Sequence, residues 1–204
     1  MSSKEVGAFP IERTASDNRE LRLAANDAAR PRGLGPVAAA GEPPEVLHDA
    51  HGFLMATWKN VALHVWTARA TFALVDTLDE LSGRFTSTHP EGISAVHVIA
   101  NNTPLPGKDV RERLTQVTNR HAKQLACVCH VVEGSGFWAS ALHSFLTGLH
   151  FLTRGPFKLH ICSEIPAAAR WLPEPHARRT KVSFEAEELE QALTGLRRSA
   201  RRVE

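Results

Sequence analysis

The chain has 204 residues, of which 43% are hydrophobic, so it is long and apolar enough to build one core of ordinary domain size. Its formal charge of +2 is too small to indicate a nucleic-acid partner, and three cysteines without framework spacing exclude a disulfide scaffold. The N-terminal sequence lacks the apolar segment of a secretory signal, and no run of about 18 apolar residues occurs. We therefore expect a cytoplasmic protein with no stable membrane insertion.

Composition divides the chain into three parts. Residues 1–46 combine charged residues with Ala, Gly and Pro and contain few large apolar side chains, which is typical of a disordered segment. We predict a disordered arm over 1–46, a folded domain over 47–173, and a linker with an amphipathic C-terminal helix over 174–204. In that last helix the acidic residues come first and the arginines last, as the helix dipole favours.

Strand-like and helix-like patterns alternate through the folded part. This alternation predicts an α/β fold, a βα superhelix with a mainly parallel sheet of about five strands. The predicted elements are strands 52–58 and 61–66, helix 68–85, strand 94–100, helix 108–125, strand 127–132, helix 137–152, strand 157–162, helix 164–172 and helix 185–202.

The predicted helix 137–152 contains no Asp, Glu, Lys or Arg. A helix without charged residues has almost no face that prefers water, so we expect it to be covered nearly all round. Its spacing predicts that Trp138, Leu142, Phe145 and Leu149 point inward.

Four predicted strands each carry one histidine two or three residues before the strand ends: His64, His97, His130 and His160. Side chains alternate across a strand, which puts these four on one mixed face and uniformly apolar residues on the other. We expect all helices to cover the apolar face and leave the histidine face partly open. The histidines are then either ordinary half-polar side chains on a half-exposed surface or part of a binding face. Such a face would bind a small molecule or lipid, or a second copy of the chain. The pattern disfavours a metal site on this face, because no carboxylate accompanies the histidines to complete a set of ligands.

The segment Gly134-Ser135-Gly136 lies between a predicted strand and helix, and with Ala139 it fits a G-x-G-x-x-A pattern. The pattern allows dinucleotide binding, with Glu164 as the acidic residue of the following strand. The alternative is a tight strand-to-helix turn in which Ser135 caps the helix.

The element order, together with the closing Ala168-x-x-Trp171-Leu172, resembles the STAS superfamily of anti-sigma-factor antagonists and STAS-like/SEC14-like single-domain bacterial proteins. The resemblance covers about residues 52–172. It implies a regulatory domain that binds a protein partner through the loop and helix after the middle strand. Anti-sigma antagonists carry a phosphorylatable serine in that loop, whereas Thr103 is the only hydroxyl residue here. The implied partner-binding residues are Asn101, Asn102, Thr103, Lys108, Arg111 and Arg113, whose basic character suits an acidic partner.

No complete acid–base or nucleophile constellation can be assembled from neighbouring sequence, so we expect no enzyme, no cofactor and no metal. The leading hypothesis is a non-catalytic regulatory or adaptor domain that binds a protein partner in bacterial signalling. The alternatives are a small-molecule or lipid-binding module, using the histidine face or the Gly134–Gly136 turn, and a dinucleotide-binding protein.

Overall fold

The computed structural model describes residues 42–153 and 155–200. Most of the predicted N-terminal arm, residues 1–41, lies outside the described residues, as does the end of the C-terminal helix predicted over 185–202.

The sheet has six strands among the described residues, and they lie side by side in chain order. The first three strands form an antiparallel meander, and the strands from the third to the sixth run parallel. The prediction of an α/β fold with a mainly parallel sheet is confirmed. The strands are β1 (Glu45–Ala50), β2 (Phe53–Trp58), β3 (Val61–Trp66), β4 (Ile93–Ile99), β5 (Leu125–Val132) and β6 (Lys158–Cys162).

Helices follow each parallel strand, and the chain adds two more after the last strand. In the described residues they are α1 (Phe72–Thr88), α2 (Lys108–His121), α3 (Gly136–Leu152), α4 (Ile165–Trp171), α5 (Pro173–Thr180) and α6 (Ala186–Ala200).

The helices cover both faces of the sheet, so the prediction of helices on one face is wrong. Leu63 and Val65 of β3 pack in one core with residues of α4 and α6. Ala62 and Trp66 of the same strand pack in a second core with residues of α1 and α3. The second core occupies the histidine face, so the surface expected to be open and to receive a second copy is covered by the chain's own helices.

β1 is the strand that the sequence pattern did not reveal. It begins at Glu45, inside the predicted arm, and forms one edge of the sheet. An edge strand exposes much of its length, and none of the six residues of β1 is fully buried. A register irregularity between Val46 and His48 interrupts the alternation further, so no period of two is visible in the sequence.

The predicted linker after Leu172 is in fact the helix α5. Pro173 lies in the first turn of α5, where a missing N–H costs no intrahelical hydrogen bond. This proline therefore begins α5 as well as ending α4. Lys181 ends α5 with a left-handed φ of 64°. The segment 173–200 is thus part of the folded core and not an appended tail.

α3 is less covered than its uncharged sequence predicts. Phe137 and Phe151 are 91% and 82% exposed. Of the four residues predicted to point inward, Leu142 is buried and the other three are half-buried. The expectation of cover nearly all round is therefore wrong, because α3 packs mainly on β5 and α2 and leaves Phe137 and Phe151 exposed.

We expect Leu193→Ala in α6 to lower the free energy of unfolding by about 2–5 kcal/mol, because Leu193 is fully buried against the sheet. The exposed neighbour Gln191 provides the control, and Gln191→Ala should change stability by less than about 0.5 kcal/mol. Urea denaturation of both variants measures the difference. Equal stabilities would show that α6 is not part of the core.

Candidate functional site

A cavity of about 160 Å³ lies between the histidine face of the sheet and helices α1, α2 and α3. Histidines and small side chains of the central strands form its floor, and leucines of the three helices form much of its roof. Among the described residues that line it, none is Asp, Glu, Lys or Arg. The apolar lining includes Ala62, Ala95 and Val128 from the sheet and Leu78, Leu114, Val117, Leu142 and Leu146 from the helices.

Three of the four predicted histidines meet on the floor of this cavity. The parallel register pairs His64 with His97 and His97 with His130. Their rings stack, with centroids 4.3 Å and 4.9 Å apart and interplanar angles of 19° and 25°. We call these three residues the histidine stack. It forms because β3, β4 and β5 place equivalent positions side by side, about 4.8 Å apart.

His160 does not belong to the stack, and its predicted place on that face is wrong. The register pairs His160 with Cys129 and Ile161 with His130, so β6 is shifted by one residue from the alignment that equal spacing suggests. A shift of one residue moves every side chain of a strand to the other face. His160 instead stacks on Trp171 of α4, with ring centroids 4.8 Å apart.

The hydrogen bonds of the histidine stack are incomplete. The indole Nε1 of Trp66 donates to Nδ1 of His97 over 3.3 Å. Both ring nitrogens of His64 and Nδ1 of His130 are buried without a hydrogen-bond partner among the described residues. The backbone of Val96 lies close enough to His64 to favour its charged form slightly, but without hydrogen-bond geometry. Native proteins pair nearly all buried polar atoms, so this concentration of unpaired imidazole nitrogens marks the site.

Burial keeps the histidine stack uncharged. It lowers the pKa of His97 from 6.5 to about 4. Burial, together with repulsion from the neighbouring imidazoles, also lowers the pKa of His64 and of His130 well below the ordinary value. His121 of α2 and His143 and His150 of α3 are the other titratable groups near the stack in the described residues.

We expect the protein to lose stability as the pH falls from about 6.5 towards 4. The unfolded chain takes up protons on these histidines near pH 6.5, whereas the folded chain resists protonation, so acid favours unfolding. At pH 5.5 each such histidine costs about 1.4 kcal/mol. Urea denaturation between pH 7.5 and 5.5 measures the slope.

His97→Gln should make the free energy of unfolding depend less on pH, because it removes one histidine whose protonation the folded protein disfavours. His51→Asn is the control, since His51 is exposed and Asn tolerates its left-handed φ of 54°. A free energy of unfolding that is constant over this pH range would contradict a neutral buried stack.

The loop predicted to meet a partner is split between surface and interior. Asn101 and Asn102 are exposed. Thr103 is buried and lines the cavity, and its hydroxyl donates to the carbonyl of Trp66 over 3.2 Å. Its own carbonyl accepts from the indole of Trp138 over 2.9 Å. Thr103 therefore holds the loop on the cavity and does not present a free hydroxyl.

The basic residues after this loop also differ in their exposure. Lys108 and Arg111 are exposed at the start of α2, where both remain accessible. Arg113 is only 23% exposed, and its guanidinium is bound to the carboxylates of Asp76 and Asp79 in α1. The prediction that Arg113 serves a partner is not supported by its position, because its charge already has partners within the chain.

Asp79 is a structurally important position near the cavity that sequence reasoning missed. Its buried carboxylate accepts from Arg113, Arg120 and His121, all on α2. These contacts fasten α1 to α2 and so fix two of the three helices over the cavity. One signal was present in the sequence: Asp79 follows Val75 by four residues and so shares the buried face of α1.

We expect Asp79→Ala to lower the free energy of unfolding by about 2–3 kcal/mol, because it removes the acceptor of the largely buried Arg113 and His121 side chains. Asp76→Ala is the matched control: Asp76 binds the same Arg113, but its side chain is 57% exposed, so its loss should cost about 1 kcal/mol or less. Urea denaturation curves of the two variants measure the loss in each. Similar losses would show that Asp79 is not the centre of the α1–α2 contact.

The glycine turn lies outside the cavity. Gly134 and Gly136 have left-handed φ values of 98° and 82°, and the turn is exposed. A Cβ at position 134 would lie 2.2 Å from Oδ1 of Asn101, so this glycine lets the turn pack on the neighbouring loop. Ser135 precedes α3 but its hydroxyl makes no capping hydrogen bond, contrary to expectation. Glu164 occupies the corresponding position before α4.

A second buried polar cluster lies on the opposite face of the sheet. Nδ1 of His176 in α5 is 2.8 Å from the hydroxyl of Ser94, and its Nε2 is 2.8 Å from Oδ1 of Asn60. The order Ser–His–Asn resembles a nucleophile with its base and orienting group. However, Ser94 and His176 are completely buried and line no part of the cavity. The cluster attaches α5 to the sheet.

Comparison of the chain with protein-family models, curated proteins and solved structures gives no match. Within residues 42–153 and 155–200, no group of three or more His, Cys, Asp or Glu side chains is placed to hold a metal ion. In the same residues, no helix combines the length and the apolar character needed to cross a bilayer.

Proposed function

We propose that this chain binds a small, mostly apolar molecule in the cavity between the sheet and helices α1 to α3. The observation that carries the proposal is an apolar cavity of about 160 Å³ whose floor consists of three stacked histidines with unpaired nitrogens. Ligand sites are typically apolar pockets with a few convergent polar groups, and this cavity has that composition.

The apolar lining of the cavity gives binding its driving force. The cavity is partly open and most of its lining surface belongs to apolar atoms, so water contacts that surface in the unliganded protein. An apolar ligand that fills the space removes this surface from water, which is favourable. Nε2 of His97 offers the ligand a polar contact.

The volume of the cavity suits a molecule, or part of one, with about one ring. An engineered cavity of about 150 Å³ in another protein accepts benzene, which sets the scale. A complete lipid exceeds this volume, so the small-molecule form of the ligand-binding hypothesis is the one we propose. Both the glycine turn and His160 lie outside the proposed site.

Regulation of a protein partner is the second candidate function, and the loop at 101–106 favours it. Thr103 to Pro106 line the cavity, while the adjoining Asn101 and Asn102 are exposed beside Lys108 and Arg111. A ligand in the cavity would therefore contact the segment that carries the surface implied by the STAS resemblance. On this proposal the chain is a non-catalytic regulatory domain of bacterial signalling whose basic surface meets an acidic partner.

We place this function in the cytoplasm. Cys127, Cys129 and Cys162 are all free thiols, although the sulfur atoms of Cys129 and Cys162 are only 3.9 Å apart. An odd number of cysteines without framework spacing favours a reducing compartment.

We expect saturating toluene to raise the melting temperature of the wild-type protein by about 3 °C, because toluene binds the folded state alone. Ala95→Ile should abolish this shift, since Ala95 lies on the cavity floor and the added atoms occupy the ligand's space. Differential scanning fluorimetry measures both.

Ala73→Ile is the matched control for that experiment. It adds the same atoms on the exposed face of α1, and it should keep the toluene shift. If wild-type protein shows no shift, or if Ala95→Ile shows the same shift as Ala73→Ile, toluene does not bind in this cavity.

A further inference from the structure

We propose that the ligand of this cavity is an uncharged hydroxyl compound, a phenol or a small alcohol, whose oxygen pairs with the imidazoles of the histidine stack. This inference rests on the proposed ligand-binding function and specifies the chemistry of the ligand. It follows from three properties of the cavity: its lack of charge, the fixed proton of His97, and the acceptor that His130 offers beside it.

The cavity contains no countercharge for an ionised ligand. None of its described lining residues is Asp, Glu, Lys or Arg. Burial also disfavours the protonated form of His97 and of its two neighbours, so the stack does not supply a positive charge. Moving a carboxylate or an ammonium group into such surroundings costs far more than moving a neutral polar group. The ligand is therefore neutral.

The proton of His97 has a defined position. The indole N–H of Trp66 is only a donor, so the Nδ1 of His97 that receives it is the unprotonated nitrogen. A neutral imidazole carries one proton, which must then reside on Nε2. His97 lines the cavity, and its hydrogen bond within the described residues runs through Nδ1, which leaves Nε2 for a ligand. His97 thus offers a hydrogen-bond donor to the ligand.

His130 offers an acceptor beside this donor. Its ring lines the cavity 4.9 Å from that of His97, and a neutral imidazole has one unprotonated nitrogen. Both nitrogens of His64 and Nδ1 of His130 are enclosed by protein atoms, so Nε2 of His130 is the nitrogen left to face a ligand. A hydroxyl group accepts from one imidazole N–H and donates to the lone pair of another, whereas a carbonyl only accepts. A hydroxyl compound therefore satisfies both imidazoles where a carbonyl compound satisfies one.

The experiment compares four one-ring compounds of similar size by calorimetric titration at pH 7.5. They are toluene, p-cresol, benzoate and benzylammonium. We expect p-cresol to bind about tenfold more tightly than toluene, which is the effect of one or two net hydrogen bonds. We expect benzoate and benzylammonium to bind more weakly than toluene.

His97→Phe tests the assigned donor, because phenylalanine keeps a flat ring in the stack and removes the N–H. It should bring p-cresol to the affinity of toluene. His160→Phe is the matched control: it makes the same change on the opposite face of the sheet, outside the cavity, and should keep the tenfold preference.

If His97→Phe does not fold, nitrogen-15 spectra of wild-type histidines take its place. They should show His97 protonated on Nε2, with a shift of that resonance on adding p-cresol but not toluene. The Nδ1-protonated form, or an unchanged resonance with bound p-cresol, overturns the inference.

The remaining outcomes separate this inference from the proposed function. Equal affinities for toluene and p-cresol, or a preference for benzoate or benzylammonium, overturn the hydroxyl ligand and leave ligand binding in the cavity intact. If none of the four compounds binds, the proposed function itself fails.

Discussion

The register of three parallel strands is the constraint on which the rest of this structure depends. β3, β4 and β5 pair equivalent positions, so His64, His97 and His130 stand in contact on one face. Alternation then puts Leu63, Val96 and Cys129 on the other face, where they form a dry core. One set of backbone hydrogen bonds thus determines both the polar floor of the cavity and the apolar core that stabilises it.

The two faces of the sheet differ in packing. The face under α4 and α6 is filled by completely buried side chains such as Leu189 and Leu193. The face under α1, α2 and α3 contains the cavity and the unpaired imidazoles, which both oppose folding. The buried carboxylate of Asp79 helps to hold the helices above that cavity. The well-packed face provides stability that offsets the looser packing of the other face.

Patterns within single elements predicted most of the fold. The strand 61–66 and the start of α2 at Lys108 lie where the sequence put them, because period and turn residues are local properties. The histidine face was also recognised from alternation along β3, β4 and β5. The equal spacing of the histidines predicted the wrong face for His160. The edge strand β6 is shifted by one residue, and no local pattern encodes its register.

By itself, the sequence determined the order of β2 to β6 with the helices between them, the apolar side of β3, β4 and β5, and the common face of three histidines, because these follow from periodicities of two and 3.6 residues. Only the tertiary structure decided which helices cover which face and that α1, α2 and α3 enclose a cavity over the histidine stack. It also decided that Arg113 is bound to Asp79 and that Thr103 is bound to the carbonyl of Trp66. These outcomes depend on contacts between residues far apart in the chain. Such contacts are set by how whole elements pack, which the local pattern of apolar and polar residues does not specify.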